Sequence, residues 1–362
     1  MDRLTEAVGN GRKVFLTGHT GFKGSWLALW LKMLGAEVTC FALPPEDRRG
    51  NHFNLLELSC DVASHLGDIK NYSRLKNALQ QSQAEVVFHL AAQPLVRQSY
   101  KDPIENYASN VMGTVHLLEA ARCTPSVRAV INITTDKCYD NKEWIWPYRE
   151  TDELGGHDPY SSSKACAELV CASYRRSFLK AEGIALATAR AGNVIGGGDF
   201  AEDRIIPDIV EALAHEKPVS LRSPSSIRPW QHVLDALYGY LLLCGRLLST
   251  EGERYEGAFN FSPSEAEHVT VEQITRKFIS EIGYGHYEID ETAATLHEAR
   301  LLKLDPSKAM LELGWSPVLD MERTVSFTAS WFAAYLENPD KIRQTSEQQI
   351  QDFMALMNEG SN

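Results

Sequence analysis

Lys13 to Thr17 is a short apolar run, Gly18-His19-Thr20-Gly21-Phe22-Lys23-Gly24 follows without a break, and a helical pattern occupies residues 25–34. A strand that turns through three spaced glycines into a helix constrains the fold more than any other feature of the chain, because it joins a parallel-sheet unit to a site. Such a turn sets backbone N–H groups beside the positive end of a helix, where a diphosphate is favoured. A tight turn with packing glycines is the other reading of the motif taken alone.

The rest of the first half repeats the alternation. Strands are expected at 37–43, 62–66, 84–90, 127–133 and 184–190, and helices at 71–81, 104–122 and 159–181. Asp158-Pro159 opens the last of these as N-cap and N1 proline. Strands alternating with helices imply an α/β fold, a Rossmann-type doubly wound parallel sheet covered on both faces. After Arg190, glycine, proline and charge mix, and the elements shorten. Residues 1–192 with about 228–258 are therefore assigned to a Rossmann domain, and about 193–227 with 259–335 to a smaller mixed α/β substrate-binding lobe. Residues 336–362 read as a helical tail with Ile350, Phe353 and Met357 on one face.

At 362 residues with net charge −12, the chain is long enough for two lobes and a poor match for nucleic acid or an anionic membrane surface. The seven cysteines, at 40, 60, 123, 138, 166, 171 and 244, form no CxxC pair and read as free thiols of a reducing compartment. The eleven histidines form no metal-ligand pattern, so no metal is expected. The N-terminal residues lack an apolar segment, and the longest apolar stretch, 237–248, is broken by Gly239, Gly245 and Arg246. The expectation is a soluble cytoplasmic protein.

Two constellations carry chemistry. Thr134-Thr135-Asp136-Lys137-Cys138-Tyr139 follows the apolar run Ala129 to Ile133, which places a carboxylate and an ammonium at the end of a core strand. Charges there need a partner, a wet cleft or a chemical task. Tyr160 and Lys164, at i and i+4, put a phenol and an ammonium on one helix face. A neighbouring cation is expected to lower the tyrosine pKa, and a phenolate can take the proton of an alcohol. The acid that holds an adenosine ribose, expected near the second strand end, is missing; Ala42-Leu43-Pro44-Pro45 stands there, followed by Glu46 and Asp47. Arg48 and Arg49 beyond them suit either a 2′-phosphate or a solvated loop.

Together these residues resemble the extended short-chain dehydrogenase/reductase family along nearly the whole chain. The resemblance is carried by the glycine loop, Gly67-Asp68-Ile69, His89-Leu90-Ala91-Ala92-Gln93-Pro94, Asn110 with Gly113-Thr114, Tyr160 with Lys164, Arg190-Ala191-Gly192-Asn193-Val194-Ile195-Gly196, and Arg228 with Val233 and Asp235. Within the family, TGHTGFKGSWL, HLAAQPLVRQSY, TTDKCYDNKEW, GGHDPYSSSKACAEL and GNVIGGGD resemble the CDP-glucose branch of the nucleotide-sugar 4,6-dehydratases.

The resemblance implies NAD as cofactor, held by Gly18, His19, Thr20, Gly21, Phe22, Lys23, Gly24, Asp68, Ile69, Leu90, Ala91, Ala92, Gln93, Thr134, Tyr160 and Lys164. It implies CDP-glucose as substrate, with oxidation at C4, loss of water across C5–C6 and return of hydride to C6, in deoxysugar synthesis for surface polysaccharide such as lipopolysaccharide O-antigen. Thr135 matches the residue at the C4 hydroxyl and Asp136 the acid at O6. Lys137 stands where many relatives have a glutamate base. Two readings of it remain: a neutral lysine that takes the C5 proton, or a cation that steadies the enolate. Asn193, Arg204, Arg228, Asn260 and Arg300 match positions around the sugar and diphosphate. The helices at 104–122 and 159–181 match a four-helix homodimer interface, with Cys166, Ala167, Val170, Cys171 and Tyr174 as contacts.

Overall fold

The computed structural model describes residues 2–46, 50–263, 269–290 and 301–359. Arg48, Arg49 and Arg300 lie outside them.

Seven parallel strands form the main sheet, in the order Gly257–Phe261, Ala185–Ala191, Ala129–Ile133, Val86–His89, Lys13–Thr17, Glu37–Ala42 and Ala63–Leu66. Val86–His89 and Ala129–Ile133 are buried along their full length, as strands covered on both faces must be. The strand order reverses between Lys13–Thr17 and Val86–His89, where Thr17 pairs with His89. Open α/β sheets bind ligands in the crevice beyond that switch point. Gly257–Phe261 was not expected as a strand; its pairing with Ala187 to Ala191 carries the large sheet three residues past the boundary drawn at 258.

The helix Phe22–Met33 begins three residues earlier than its apolar periodicity suggested, directly at the glycine loop. It buries Trp26, Leu27, Leu29, Trp30 and Leu31. The helix expected at 104–122 is interrupted. Pro103–Tyr107 leads into a π-helical turn, Ala108–Met112, before Gly113–Arg122. That turn aims Asn110 inward, where its amide donates to the Gln93 carbonyl (3.0 Å) and to Ser163 Oγ (2.9 Å) and its oxygen accepts from Gln93 N (2.8 Å). Widened turns of this kind recur at functional sites. Here it ties the loop after Val86–His89 to the helix Pro159–Ser177.

Outside the main sheet lie three two-stranded ladders: Asn193–Ile195 with Trp230–His232, Ile227–Arg228 with Val269–Thr270, and Val219–Leu221 with Tyr287–Ile289. The helices Ile205–Ala214, Val271–Ile282 and Met321–Glu337 pack around them. Val233–Leu247 packs on the main sheet. The last helix, Ile342–Glu359, docks on the back of Phe22–Met33, with Phe353 edge-on to Trp30 at 5.6 Å.

Candidate active site

A cleft of about 810 Å³ opens at the C-terminal ends of the strands. Of the glycine loop, Lys23 lines it. Gly18 sits at φ +80°, and a Cβ there would come within 2.7 Å of Ala91 N. A Cβ on Gly24 would lie 2.1 Å from the Gly18 carbonyl oxygen. At Gly21 the nearest atom is 3.5 Å away, so the backbone there is open to close approach. The loop therefore needs glycine on structural grounds at two positions and leaves room for a ligand at the third. The first amides of Phe22–Met33 have no intrahelical acceptor and no side-chain cap. This cradle fits a dinucleotide diphosphate.

The adenosine side is built differently from the acid-bearing pattern. His19 Nε2 and Ser64 Oγ share a hydrogen bond of 2.7 Å, and burial holds the ring neutral, pushed down to about 4. Thr20 Oγ1 donates to the Leu43 carbonyl. Glu46 is exposed. Asp68 accepts from Lys70 N through Oδ1, at 2.8 Å, and faces Lys70 Nζ through Oδ2, at 3.3 Å. Ile69 is buried against Gly113. Leu90 and Ala92 line the cleft, and Ala91 closes on Gly18. Gln93 spends its side chain on Leu95, donating through Nε2 and accepting through Oε1.

The Thr134 to Tyr139 stretch leaves strand Ala129–Ile133 into a single 3₁₀ turn, Asp136–Cys138, capped by Thr135. Thr135 Oγ1 donates to Asp136 Oδ1 at 2.9 Å, and Lys137 Nζ lies 3.6 Å from the same oxygen. Asp136 is fully buried, and its Oδ2 has no hydrogen-bond partner among the described residues. A buried carboxylate oxygen left open is costly unless a ligand or a proton completes it. Lys137 is one-third exposed and lines the cleft. Thr134 turns the other way, and its hydroxyl donates to Glu168.

Facing this turn, the helix Pro159–Ser177 starts at Asp158, which caps Ser161 N, and brings Tyr160 and Lys164 to the cleft. Lys164 Nζ donates to the Ile133 carbonyl at 3.2 Å, and burial lowers it to about 8. Tyr160 departs from the expected direction. Burial pushes it up to about 12, although hydrogen bonding with Thr135 pulls it down. Losing the hydration of a phenolate outweighs the charges around it here.

The pair Glu168–Arg190 was not singled out from the sequence. Arg190 donates from Nε to Glu168 Oε1 (3.0 Å) and from Nη2 to Oε2 (2.8 Å), while Thr134 and Thr188 donate to the same carboxylate. The signal was available: a glutamate one turn beyond Lys164 on a buried face, opposite an arginine in a core strand.

The remaining positions separate into two groups. Asn193, Arg204 and Arg228 line the cleft. Asn193 Oδ1 is buried without a partner among the described residues, and Arg204 Nη1 donates to Asp199 Oδ2 at 2.8 Å. Asn260 does not join them. It is fully buried away from the lining, accepts from the Tyr139 hydroxyl (2.8 Å) and donates to the Tyr148 carbonyl (2.9 Å). Its place in the strand Gly257–Phe261 explains this, because the side chain is consumed in joining that strand to the loop after the 3₁₀ turn. Arg97 and Arg222, unassigned from sequence, share Asp203 at the cleft wall, each at 3.0 Å.

Residues 15–328 match the protein-family model described as GDP-mannose 4,6 dehydratase. Over 350 residues, 95% of this chain and 97% of the relative, it is 46% identical to CDP-glucose 4,6-dehydratase of Salmonella typhimurium. It is 30% identical over 259 residues to dTDP-glucose 4,6-dehydratase of Streptomyces antibioticus, covering 69% and 71% of the two chains. Among solved structures, dTDP-glucose 4,6-dehydratase from Bacillus anthracis in complex with NAD superposes with a TM-score of 0.75 at 21% identity, covering 92% of this chain and all of that one. The Thermus thermophilus UDP-glucose 4-epimerase complex with NAD gives 0.75 at 24% identity, over 88% and 98%.

Proposed function

The chain belongs to the GDP-mannose 4,6 dehydratase family, and from that premise we propose that it is an NAD-dependent hydro-lyase that converts CDP-glucose to CDP-4-keto-6-deoxyglucose. The Salmonella typhimurium relative, matched along nearly the whole of both chains, is a CDP-glucose 4,6-dehydratase. The observation that carries the chemistry is the open, buried Oδ2 of Asp136 beside Lys137, in the same cleft as Tyr160 and Lys164.

The glycine loop would hold NAD, which would supply the hydride acceptor for oxidation at C4 and the hydride donor for the closing reduction at C6. The chain's own groups handle protons and position. Thr135 and Tyr160 hold the C4 hydroxyl, and Tyr160 takes its proton as the C4–H bond breaks. The resulting ketone makes the C5 proton acidic. Lys137 removes that proton, and Asp136 protonates O6 so that it leaves as water. Asn193, Arg204 and Arg228 hold the sugar and diphosphate, the guanidinium forks matching phosphate oxygens.

A 4-epimerase would share Tyr160 and Lys164 but has no use for an acid and a lysine set together at Asp136 and Lys137. One experiment separates the readings: incubation in heavy water with NAD and, separately, CDP-, UDP- and dTDP-glucose, read by mass spectrometry. Loss of water from CDP-glucose with deuterium gained at C5 supports this function. Loss of water from another nucleotide sugar moves the substrate. Unchanged mass with inversion at C4 marks an epimerase.

The product feeds deoxysugar synthesis for surface polysaccharide such as lipopolysaccharide O-antigen, and the enzyme works in the cytoplasm as a homodimer. Free cysteines and the lack, among the described residues, of a helix long and apolar enough to cross a membrane support that placement. The dimer reading rests on apolar side chains left in solvent on the two expected helices: Ile104 (82% exposed), Met112 (46%) and Leu169 (58%). Ala167 and Cys171 point into the core instead, which leaves Cys166, Val170 and Tyr174 beside Leu169.

A further inference from the structure

Arg204 and Asp199 both line the cleft, but only the arginine is half-exposed; the acid is buried. Asp199 uses both oxygens locally. Oδ2 accepts from Arg204 Nη1 at 2.8 Å, and Oδ1 accepts from Ala201 N at 3.2 Å. A carboxylate beside an arginine weakens its pull on an anion. What the pair supplies is direction, because a guanidinium carries its N–H groups in one plane and a bond on one side fixes where the others point.

Asp199 is fixed in turn by the two glycines before it. A Cβ on Gly197 would run into the Trp331 ring and one on Gly198 into the His52 ring, so the backbone rests directly on both. Trp26 Nε1 donates to the Gly197 carbonyl at 2.8 Å. The two rings are joined by a one-way chain of hydrogen bonds. Ser25 Oγ donates to the Phe22 carbonyl at 2.8 Å, which uses its single proton, so at 2.8 Å it accepts from His52 Nδ1. His52 Nε2 is then left to accept from Ser346 Oγ at 3.3 Å, and Ser346 Oγ accepts from Trp331 Nε1 at 2.9 Å. All four side chains are buried. Trp331 and Ser346 lie beyond residue 328, where the family match ends. Ser346 belongs to the last helix, Ile342–Glu359, none of whose residues lines the cleft.

We propose that Asp199 is a positioning residue: it aims the Arg204 guanidinium at the substrate diphosphate, and the last helix holds it in place through Ser346 and Trp331. This rests on the reading of Arg204 as a diphosphate contact.

The test is calorimetric binding of CDP, UDP and dTDP with NAD present, followed in the variants with whichever binds the wild type most tightly. Asp199→Ala raises that dissociation constant about tenfold, the worth of one hydrogen bond to a charged group. Asp199→Asn, which still accepts from Arg204, restores most of the loss. Removing a negative charge would by itself tighten an anion complex, so tighter or unchanged binding in Asp199→Ala overturns the proposal. Equal loss in Asp199→Asn overturns it too, because the bond to Arg204 would then not be what matters. In an Arg204→Ala background, Asp199→Ala costs nothing further; additive losses would mark a merely structural acid. Ser346→Ala raises the constant severalfold in the wild type and not in Asp199→Ala, and a loss of the same size in both removes the last helix from the proposal. Trp331→Phe, which keeps a ring and loses the N–H, gives the same comparison where Ser346→Ala does not fold. A wild type that binds a nucleoside diphosphate but dehydrates none of the three glucose nucleotides sinks the functional reading and leaves this one standing. A wild type that binds none of the three diphosphates sinks both.

Discussion

Glu168 and Arg190 form a buried ion pair one helical turn beyond Lys164, with Arg190 Nη2 donating to Glu168 Oε2 at 2.8 Å. Burial alone would raise the glutamate; the guanidinium and the two threonine hydroxyls hold it below its ordinary value. Arg190 also donates to the Tyr139 hydroxyl. The pair thus ties the helix of Tyr160 and Lys164 to both ends of the 3₁₀ turn. Arg190→Met leaves a buried carboxylate unpaired and is expected to lower stability by about 3–5 kcal/mol. The double variant Arg190→Met/Glu168→Met should recover much of that loss. Urea denaturation of the three proteins checks both statements.

Lys137→Met separates the first chemical step from the second. Oxidation at C4 should persist, seen as a transient rise in NADH absorbance with CDP-glucose. Exchange of the C5 proton with heavy water should fall about 10²- to 10⁴-fold, the usual worth of a positioned base. Exchange near the wild-type rate would transfer the base to another group and leave Lys137 as the cation that steadies the enolate.

Tyr160→Phe is expected to slow C4 oxidation by about 10²- to 10⁴-fold while CDP-glucose binding, measured by calorimetry, changes little. Because burial holds the phenol up near 12, the wild-type oxidation rate should rise with pH through the neutral range.

Acid should destabilise the fold early. His52, His89 and His232 are each pushed down to about 3 by burial, and His19 to about 4, from an ordinary value of 6.5. These rings are neutral when folded, and the unfolded chain binds more protons below pH 6.5. Stability therefore falls as pH drops from 6.5 toward 4, each ring adding up to about 1.4 kcal/mol per pH unit. Denaturation at pH 7 and pH 5 measures the slope, and His232→Asn should reduce it. A flat profile would mean that one or more of these rings is charged in the folded protein.

Protein washed extensively should be partly empty of NAD, because no carboxylate among the described residues ends the strand Glu37–Ala42 in position to hold the ribose; its end is Leu43-Pro44-Pro45. The ratio of absorbance at 260 and 280 nm after washing reads this directly. Full occupancy would show that the loop and the His19–Ser64 contact suffice.

The sequence by itself determined whatever local chemistry specifies. Three glycines after an apolar strand imply a loop against the sheet edge, and the positions of Gly18 and Gly24 show the steric reason. Asp158-Pro159 set the start of the helix Pro159–Ser177, and the i, i+4 spacing put Tyr160 and Lys164 on one face. Tertiary structure decided what depends on which neighbours arrive. Asn260 reads as a ligand residue in one dimension; the pairing of Gly257–Phe261 with the core sheet buries it beneath Tyr139. The apolar pattern at 104–122 cannot reveal a π-helical turn, which is selected by packing of Gly113 on Ile69 and by the bonds of Asn110. The direction of the Tyr160 shift was also beyond reach of spacing. A lysine four residues away is visible in the sequence, but the loss of water around a phenol is a property of everything folded over it.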